Sequence, residues 1–283
     1  MRKIILLVLI SLSLQGYSQS LSPERVKHIK ECTVRITIEG DNSIGTAFFI
    51  DNNVLLTCWH VIKPAILDDN NNFYPTFKKI YATLSDGQKI EFGIPTKWIT
   101  KETYSGMAYD FCPLMPVNSL DLVTHPFLNL GSVNDYSEGD DVYTCGYPLA
   151  ISQQFITKGF ISNKYTDSTI LSNGNFNIKT PINLILMDMT MNRGNSGGAI
   201  VKIGSTPSED KVIGIADFII NPIGSQADTV IKILNQNSGG VFIGVVDPIK
   251  TLSGLTQLLS STTNGISGAI SVEYWLKSLA NLK

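Results

Sequence analysis

The chain is poor in the residues that hold metals. Three histidines and four cysteines are scattered over 283 residues without ligand spacing, so no metal site is expected. No glycine-rich loop leads from a strand into a helix. That removes the usual cradle for nucleotide phosphates, and no cofactor is expected. There is no lysine- or arginine-rich block and the formal charge is −2, which argues against a nucleic-acid partner. Charged residues make up 16% and hydrophobic ones 43%, the balance of a folded chain rather than a disordered one. The apolar run at residues 4–14 is too short to span a bilayer as a helix.

That run follows Arg2 and Lys3 and precedes Gly16-Tyr17-Ser18, the pattern of a secretory signal cleaved after Ser18. No cysteine follows it to carry a lipid. The expectation is export, to a periplasm or beyond the cell, without stable membrane insertion once the signal is removed. In an exported chain Cys32, Cys58, Cys112 and Cys145 admit three pairings. Each lies in an apolar or strand-like run, which favours buried thiols. A Cys58–Cys112 bridge is the sharper alternative, because the two flank His60 and Asp110 at the same two-residue distance.

What the sequence does contain is a serine among glycines, Arg193-Gly194-Asn195-Ser196-Gly197-Gly198, between apolar runs at 184–191 and 199–203. Glycine loses more entropy on folding than any other residue, so such a cluster marks a special turn. One reading is an ordinary hairpin turn. The other is a turn that bares the Ser196 hydroxyl and aims backbone N–H groups at one spot, where an oxyanion can sit. A nucleophilic serine needs a base and an orienting acid. His60 ends the apolar run 54–62. His28 lies in a charged segment and His125 in a loop before Pro126. Asp110 sits in Met107-Ala108-Tyr109-Asp110-Phe111-Cys112, too apolar a setting for an unpartnered carboxylate. Asp68, Asp69 and Asp86 lie in polar loops.

The order His60, Asp110, Ser196 is accompanied by Ser43-Ile44-Gly45-Thr46-Ala47-Phe48-Phe49-Ile50, Leu56-Thr57-Cys58-Trp59-His60-Val61, Cys145-Gly146-Tyr147-Pro148 and Val212-Ile213-Gly214-Ile215. Taken together, over roughly residues 26–250, these pieces resemble the trypsin-like serine proteases of the chymotrypsin fold, most of all the bacterial HtrA (Deg) branch. The resemblance implies roles. Ser196 is the nucleophile, His60 the base, Asp110 the residue that orients His60, and the N–H groups of Gly194 and Ser196 the oxyanion hole. It also implies an all-β fold of two six-stranded antiparallel barrels. The 33 residues after Lys250 are too few for the PDZ domains that many HtrA-type proteases carry.

Local patterns agree with that fold. Ser22-Pro23-Glu24 starts a short helix, and the alternation in 32–38 reads as a strand. Further strands are expected at 44–50, 54–57, 79–84, 89–92 and 109–114. A second set is expected at 141–145, 154–161, 183–189, 199–203, 212–220 and 240–246. Residues 272–282 have the spacing of an amphipathic helix. The expected divisions are a signal at 1–18, a barrel carrying His60 and Asp110 at 19–135, a barrel carrying Ser196 at 136–261, and a spacer and helix at 262–283. The linker between barrels falls near 129–139.

By the same resemblance Met189, Thr190 and Met191 form one wall of the pocket for the substrate side chain before the cut (P1). Ala216, Asp217 and Phe218 form the other. Thr190 is closest to the position where trypsin-like enzymes carry a carboxylate to read Lys or Arg, so apolar P1 residues of small to medium size are expected. Asp188 is read as structural. Asp217 faces either pocket or solvent. Asn195 stands where zymogen-type members carry an aspartate, so activation by a freshly cut amino terminus is not expected. The function expected is a serine endopeptidase acting on polypeptide, with unfolded envelope or extracellular protein as the expected substrate. A non-catalytic peptide-binding module and an esterase-like acyl hydrolase are the alternatives on the same fold. The sequence leaves the oligomeric state open.

Overall fold

The computed structural model describes residues 21–42, 44–66, 78–98, 109–118, 124–167, 182–219 and 266–280. The signal expected at 1–18 and the strand expected at 240–246 lie outside these. In chain order come helix α1 (Pro23–Cys32), strands β1 (Thr33–Ile38), β2 (Ile44–Asp51) and β3 (Val54–Thr57), and helix α2 (Trp59–Ile66). Strands β4 (Ile80–Thr83), β5 (Lys89–Gly93) and β6 (Cys112–Pro116) complete the first half. The second half holds β7 (Asp141–Gly146), β8 (Phe155–Asp167), β9 (Ile182–Asp188), β10 (Ala199–Lys202), β11 (Lys211–Ile219) and β12 (Ile266–Ser271), then helix α3 (Glu273–Ala280).

The strands close into two antiparallel barrels, ordered β1-β2-β3-β6-β5-β4 and β10-β11-β12-β9-β8-β7. The second ring, read from β7, repeats the first with every strand number raised by six. Closure leaves no unpaired sheet edges. Each barrel is filled by inward-facing apolar side chains, among them Val34, Phe49, Leu55, Ile90 and Leu114 in the first and Val142, Ile185, Met187, Ile200 and Ile213 in the second.

The expected all-β architecture of two six-stranded barrels is what the chain adopts. Two boundaries differ. The sequence reading placed a spacer at the start of 262–283. The structure has β12 there, pairing β9 and β11 to close the second barrel. The strand expected at 109–114 begins only at Cys112, because Asp110 sits in a turn with φ +49. All four cysteines are free and buried, so the Cys58–Cys112 bridge is not formed.

Helix α1 belongs by sequence to the first barrel but is fastened to the second. Ser22 caps it by accepting from the Arg25 N–H at 3.3 Å. The Arg25 side chain then reaches Asp210, with Nε at 2.9 Å from Oδ2, and donates to the Gly204 carbonyl at 2.6 Å. Asp210 also accepts from the Tyr143 hydroxyl at 2.8 Å and the Gly204 N–H at 2.8 Å. Both ions are buried and their polar atoms are well supplied with partners. Removing one partner of such a pair strands the other charge, which costs about 3–5 kcal/mol. Arg25→Ala is therefore expected to lower stability in urea unfolding by about that amount. A midpoint within error of the unmodified chain would show that the clamp contributes nothing.

Candidate active site

The register of β3 against β6 decides where the first two site residues meet. The ladder runs Leu55↔Leu114, Leu56↔Pro113, Thr57↔Cys112 and stops. From that end the chain continues forward to His60, in the first turn of α2, and backward to Asp110. Two antiparallel neighbours thus deliver an imidazole and a carboxylate to one spot. Asp110 Oδ1 accepts the His60 backbone N–H at 2.8 Å, and Oδ2 accepts Nδ1–H at 2.6 Å. The positive φ of Asp110 is uncommon for a side-chain-bearing residue, though aspartate is among the more tolerant. Beside it Tyr109 stacks on Tyr274 of α3, ring centroids 4.3 Å apart, so the closing helix braces the turn that carries the acid.

The electrostatics follow from this contact. Burial pulls the His60 pKa down, but the charge and hydrogen bonding of Asp110 outweigh it and hold the imidazole above its ordinary 6.5. Burial pushes Asp110 up, while His60 and the hydrogen bonds it receives bring it down to about 2. Nearly half of the His60 side chain, 46%, is open to solvent, whereas its Nδ1 edge is packed on carboxyl groups. The ring is held from behind and presented forward.

The turn carrying Ser196 is pressed against the first barrel. The Thr46 N–H donates to the Ser196 carbonyl at 2.9 Å, and the Thr46 hydroxyl donates to the Gly194 carbonyl at 2.6 Å. The Tyr147 N–H in turn donates to that hydroxyl at 3.2 Å. Gly197 has φ +87, and a Cβ there would lie 2.1 Å from the Thr46 carbonyl oxygen. Gly194 has φ +99, with the Tyr147 carbonyl 2.2 Å from where its Cβ would be. Only glycine fits either place. The Asn195 N–H bonds to Asn192 and the Gly197 N–H to Ala216. Among the described residues nothing accepts from the N–H groups of Gly194 and Ser196.

The Ser196 hydroxyl lies 3.4 Å from the Asp217 main-chain carbonyl, a long and weak contact, and is not hydrogen-bonded to His60. Asp217 itself faces neither pocket nor solvent. It is the extra residue of a bulge in β11, where the register against β12 shifts between Ala216 and Phe218. Such bulges re-aim side chains. Its carboxyl, 7% exposed, turns toward the pair, with Oδ1 3.6 Å from His60 Nδ1. The reasoning that singled out Asp110, a carboxylate in an apolar run, applies equally to Asp217 and would have found it.

Of the other expected residues, Met189, Met191 and Ala216 are buried and Thr190 is exposed. The side chain of Phe218 lies outside the described residues. Asn195 is buried in the turn, and Asp188 is exposed. His125 stacks on Phe49 at 4.5 Å and takes no part in the site. Cys58, His60, Asp110 and Asp217 bring ligand atoms within 4.8 Å of one another. The 2.6 Å between His60 and Asp110 is a hydrogen-bond distance, below the ~3.3 Å that separates two ligands on a tetrahedral zinc ion. The cluster is spaced to share protons.

A family model described as a trypsin-like peptidase domain matches residues 45–215. The chain is similar to a probable periplasmic serine endoprotease, DegP-like, of Rickettsia conorii, 30% identical over 64% of this chain and 30% of that protein. It is similar also to a probable serine protease, do-like, of Buchnera aphidicola subsp. Acyrthosiphon pisum, 27% identical over 66% of this chain and 31% of that protein. The chain thus spans about three tenths of the length of these relatives. Among solved structures, the HtrA-type protease AlgW with a tripeptide has a TM-score of 0.55 at 20% identity, covering 91% of this chain and 62% of that one. Rv3671c from M. tuberculosis H37Rv, in an inactive form, has 0.56 at 13% identity over 92% and 90%. At such identities the likeness speaks for the fold.

A base must be neutral to accept a proton, and Asp110 holds His60 above 6.5. Any hydrolytic rate that uses His60 is therefore expected to rise with pH through a midpoint above 6.5, measured as kcat/KM. Asp110→Asn is expected to lower both that midpoint and the rate, the latter by about 10⁴-fold. An unchanged midpoint in Asp110→Asn would contradict the assignment.

Proposed function

Because the chain belongs to the trypsin-like peptidase family, we propose that it is a serine endopeptidase working through an acyl-enzyme. The observation that carries this is the His60–Asp110 pair set at the barrel seam beside a serine turn with two N–H groups unclaimed among the described residues. In the reaction the Ser196 Oγ attacks the scissile carbonyl carbon, and His60 Nε2 takes the hydroxyl proton. Asp110 keeps the other ring nitrogen protonated and steadies the imidazolium. The carbonyl oxygen becomes an oxyanion against the N–H groups of Gly194 and Ser196. One such donor is worth about 10²–10³ in rate. The tetrahedral intermediate collapses as the C–N bond breaks, and His60 gives its proton to the departing amine. Water, activated by the same histidine, then hydrolyses the ester at Ser196. The weak contact of the Ser196 hydroxyl with Asp217 yields to one with His60 when substrate arrives, since such bonds are often loose before binding.

Substrate binding follows from the strand beside the site. The peptide adds antiparallel to the Ala216-Asp217-Phe218 segment, and main-chain hydrogen bonds hold it. Met189, Met191 and Ala216 give the P1 pocket an apolar lining, and Thr190 brings no charge. The Asp217 carboxyl is turned toward His60 and away from the pocket, which leaves it unable to read Lys or Arg. The preference is for apolar P1 residues of small to medium size. The signal-like pattern at residues 1–18 and the relatives named as probable periplasmic endoproteases support action outside the cytoplasm, on unfolded envelope or extracellular protein. Among the described residues no helix is long and apolar enough to cross a membrane.

Ser196→Ala is expected to abolish both cleavage of an unfolded protein and labelling by a fluorophosphonate. Labelling at another serine would defeat the proposal. Mass spectrometry of the fragments from the active chain is expected to show apolar P1 residues. Fragments ending mostly in Lys or Arg would overturn the pocket assignment.

A further inference from the structure

Asp217 touches all three members of the triad. Its Oδ1 is 3.6 Å from His60 Nδ1, and its main-chain carbonyl lies 3.4 Å from the Ser196 hydroxyl. One oxygen of its carboxyl lies within 4.8 Å of one of Asp110. Two buried carboxyls therefore stand behind one imidazole. The groups facing them are His60 from α2, Cys58 after β3, and Cys112 at the start of β6 beside Asp110. Both thiols are pushed well above their ordinary range by burial, and they supply no charge. Among the described residues neither carboxyl has an ion pair with Lys or Arg. When His60 is neutral, as a base must be, two carboxylates would face each other uncompensated. Like charges at such a distance do not both persist in a buried site.

The donors decide which carboxyl keeps a proton. Asp110 accepts two N–H bonds from His60, one at each oxygen, which favours its anion. Asp217 Oδ2 is buried and, counted as an anion, receives no donor among the described residues. A proton on Asp217 removes that unmet acceptor by making it a donor, and the acceptor nearest to hand is Asp110. We propose that Asp217 is a positioning residue of the triad, a neutral carboxylic acid whose O–H donates to the Asp110 carboxylate. The side-chain contacts then run His60, Asp110, Asp217 and, with His60 neutral, carry one negative charge. Burial and the neighbouring Asp110 push Asp217 well above the ordinary carboxyl range, in keeping with this. The bulge in β11 is what makes it possible, since it turns the side chain at 217 inward. The role rests on the peptidase reading, but the protonation state does not need turnover to be measured.

The sign for stability is fixed. A carboxyl whose folded pKa is raised above its unfolded value weakens the fold as pH rises from the ordinary carboxyl range toward the raised value. Two readouts test the proposal on the full chain without substrate. Infrared difference spectra between the unmodified protein and Asp217→Asn at neutral pH are expected to show the carbonyl band of an un-ionised carboxyl, lost in the variant. In NMR titration, Asp217→Asn is expected to leave the His60 midpoint nearly unmoved, because a neutral acid is exchanged for a neutral amide. Kinetics add a third readout. Asp217→Ala, which removes the donor, is expected to lower kcat/KM about 10–100-fold. Asp217→Asn, which supplies an N–H donor, recovers part of that loss. Absence of the carboxyl band, or a fall of about one unit or more in the His60 midpoint in Asp217→Asn, would show an ionised Asp217 and overturn the inference. If the unmodified chain does not hydrolyse peptides, the peptidase reading falls while the infrared band still decides this one.

Discussion

The hydrogen bond from His60 Nδ1 to Asp110 is the contact on which everything else in this molecule turns. It exists because a two-stranded ladder ends at Thr57↔Cys112 and leaves its two chain continuations side by side. Sheet register is specified wherever a face is buried, since a slip by one residue would turn the core side chains outward. The packing of Leu55, Leu56 and Leu114 thus fixes the relative position of an imidazole and a carboxylate several residues away. Hydrophobic burial sets the geometry and electrostatics uses it.

The second constraint is the seam between barrels. Each barrel closes on itself, so nothing in either requires that they meet in one orientation. Thr46 supplies part of that requirement by binding the carbonyls of Gly194 and Ser196 across the seam. Gly197 permits an approach that any side chain would block. The Arg25–Asp210 pair ties the leading helix to the far barrel. Helix α3 returns from the second barrel to brace Tyr109, the neighbour of Asp110. The chain therefore crosses between halves at both ends, and the site lies where the crossings hold it.

Much of this was legible in the sequence because its signals are local. Alternation marked the strand at 32–38, and Ser22-Pro23 marked the first helix. Ser196 announced itself by its glycines, and Asp110 by an apolar setting that a carboxylate does not tolerate alone. What stayed hidden depends on pairing. The bulge at Asp217 is a mismatch between β11 and β12, and no pattern within β11 alone reveals it. The spacer expected at the start of 262–283 runs into strand β12, whose residues Ile266-Ser267-Gly268-Ala269-Ile270-Ser271 are small and weakly apolar. It becomes a strand only between two neighbours that need closing. The partnership of Arg25 with Asp210 joins residues 185 apart, and nothing local in either segment points to the other.

The central claim is that Ser196, His60 and Asp110 act together at one carbonyl, with the N–H groups of Gly194 and Ser196 holding its oxygen. A crystal structure of the chain after reaction with diisopropyl fluorophosphate tests this most directly. The account predicts a phosphorus–oxygen bond at Ser196, a phosphoryl oxygen accepting from both N–H groups, and His60 Nε2 within hydrogen-bond reach of the Ser196 oxygen. An adduct on a different residue, or a phosphoryl oxygen turned away from Gly194 and Ser196, would contradict it.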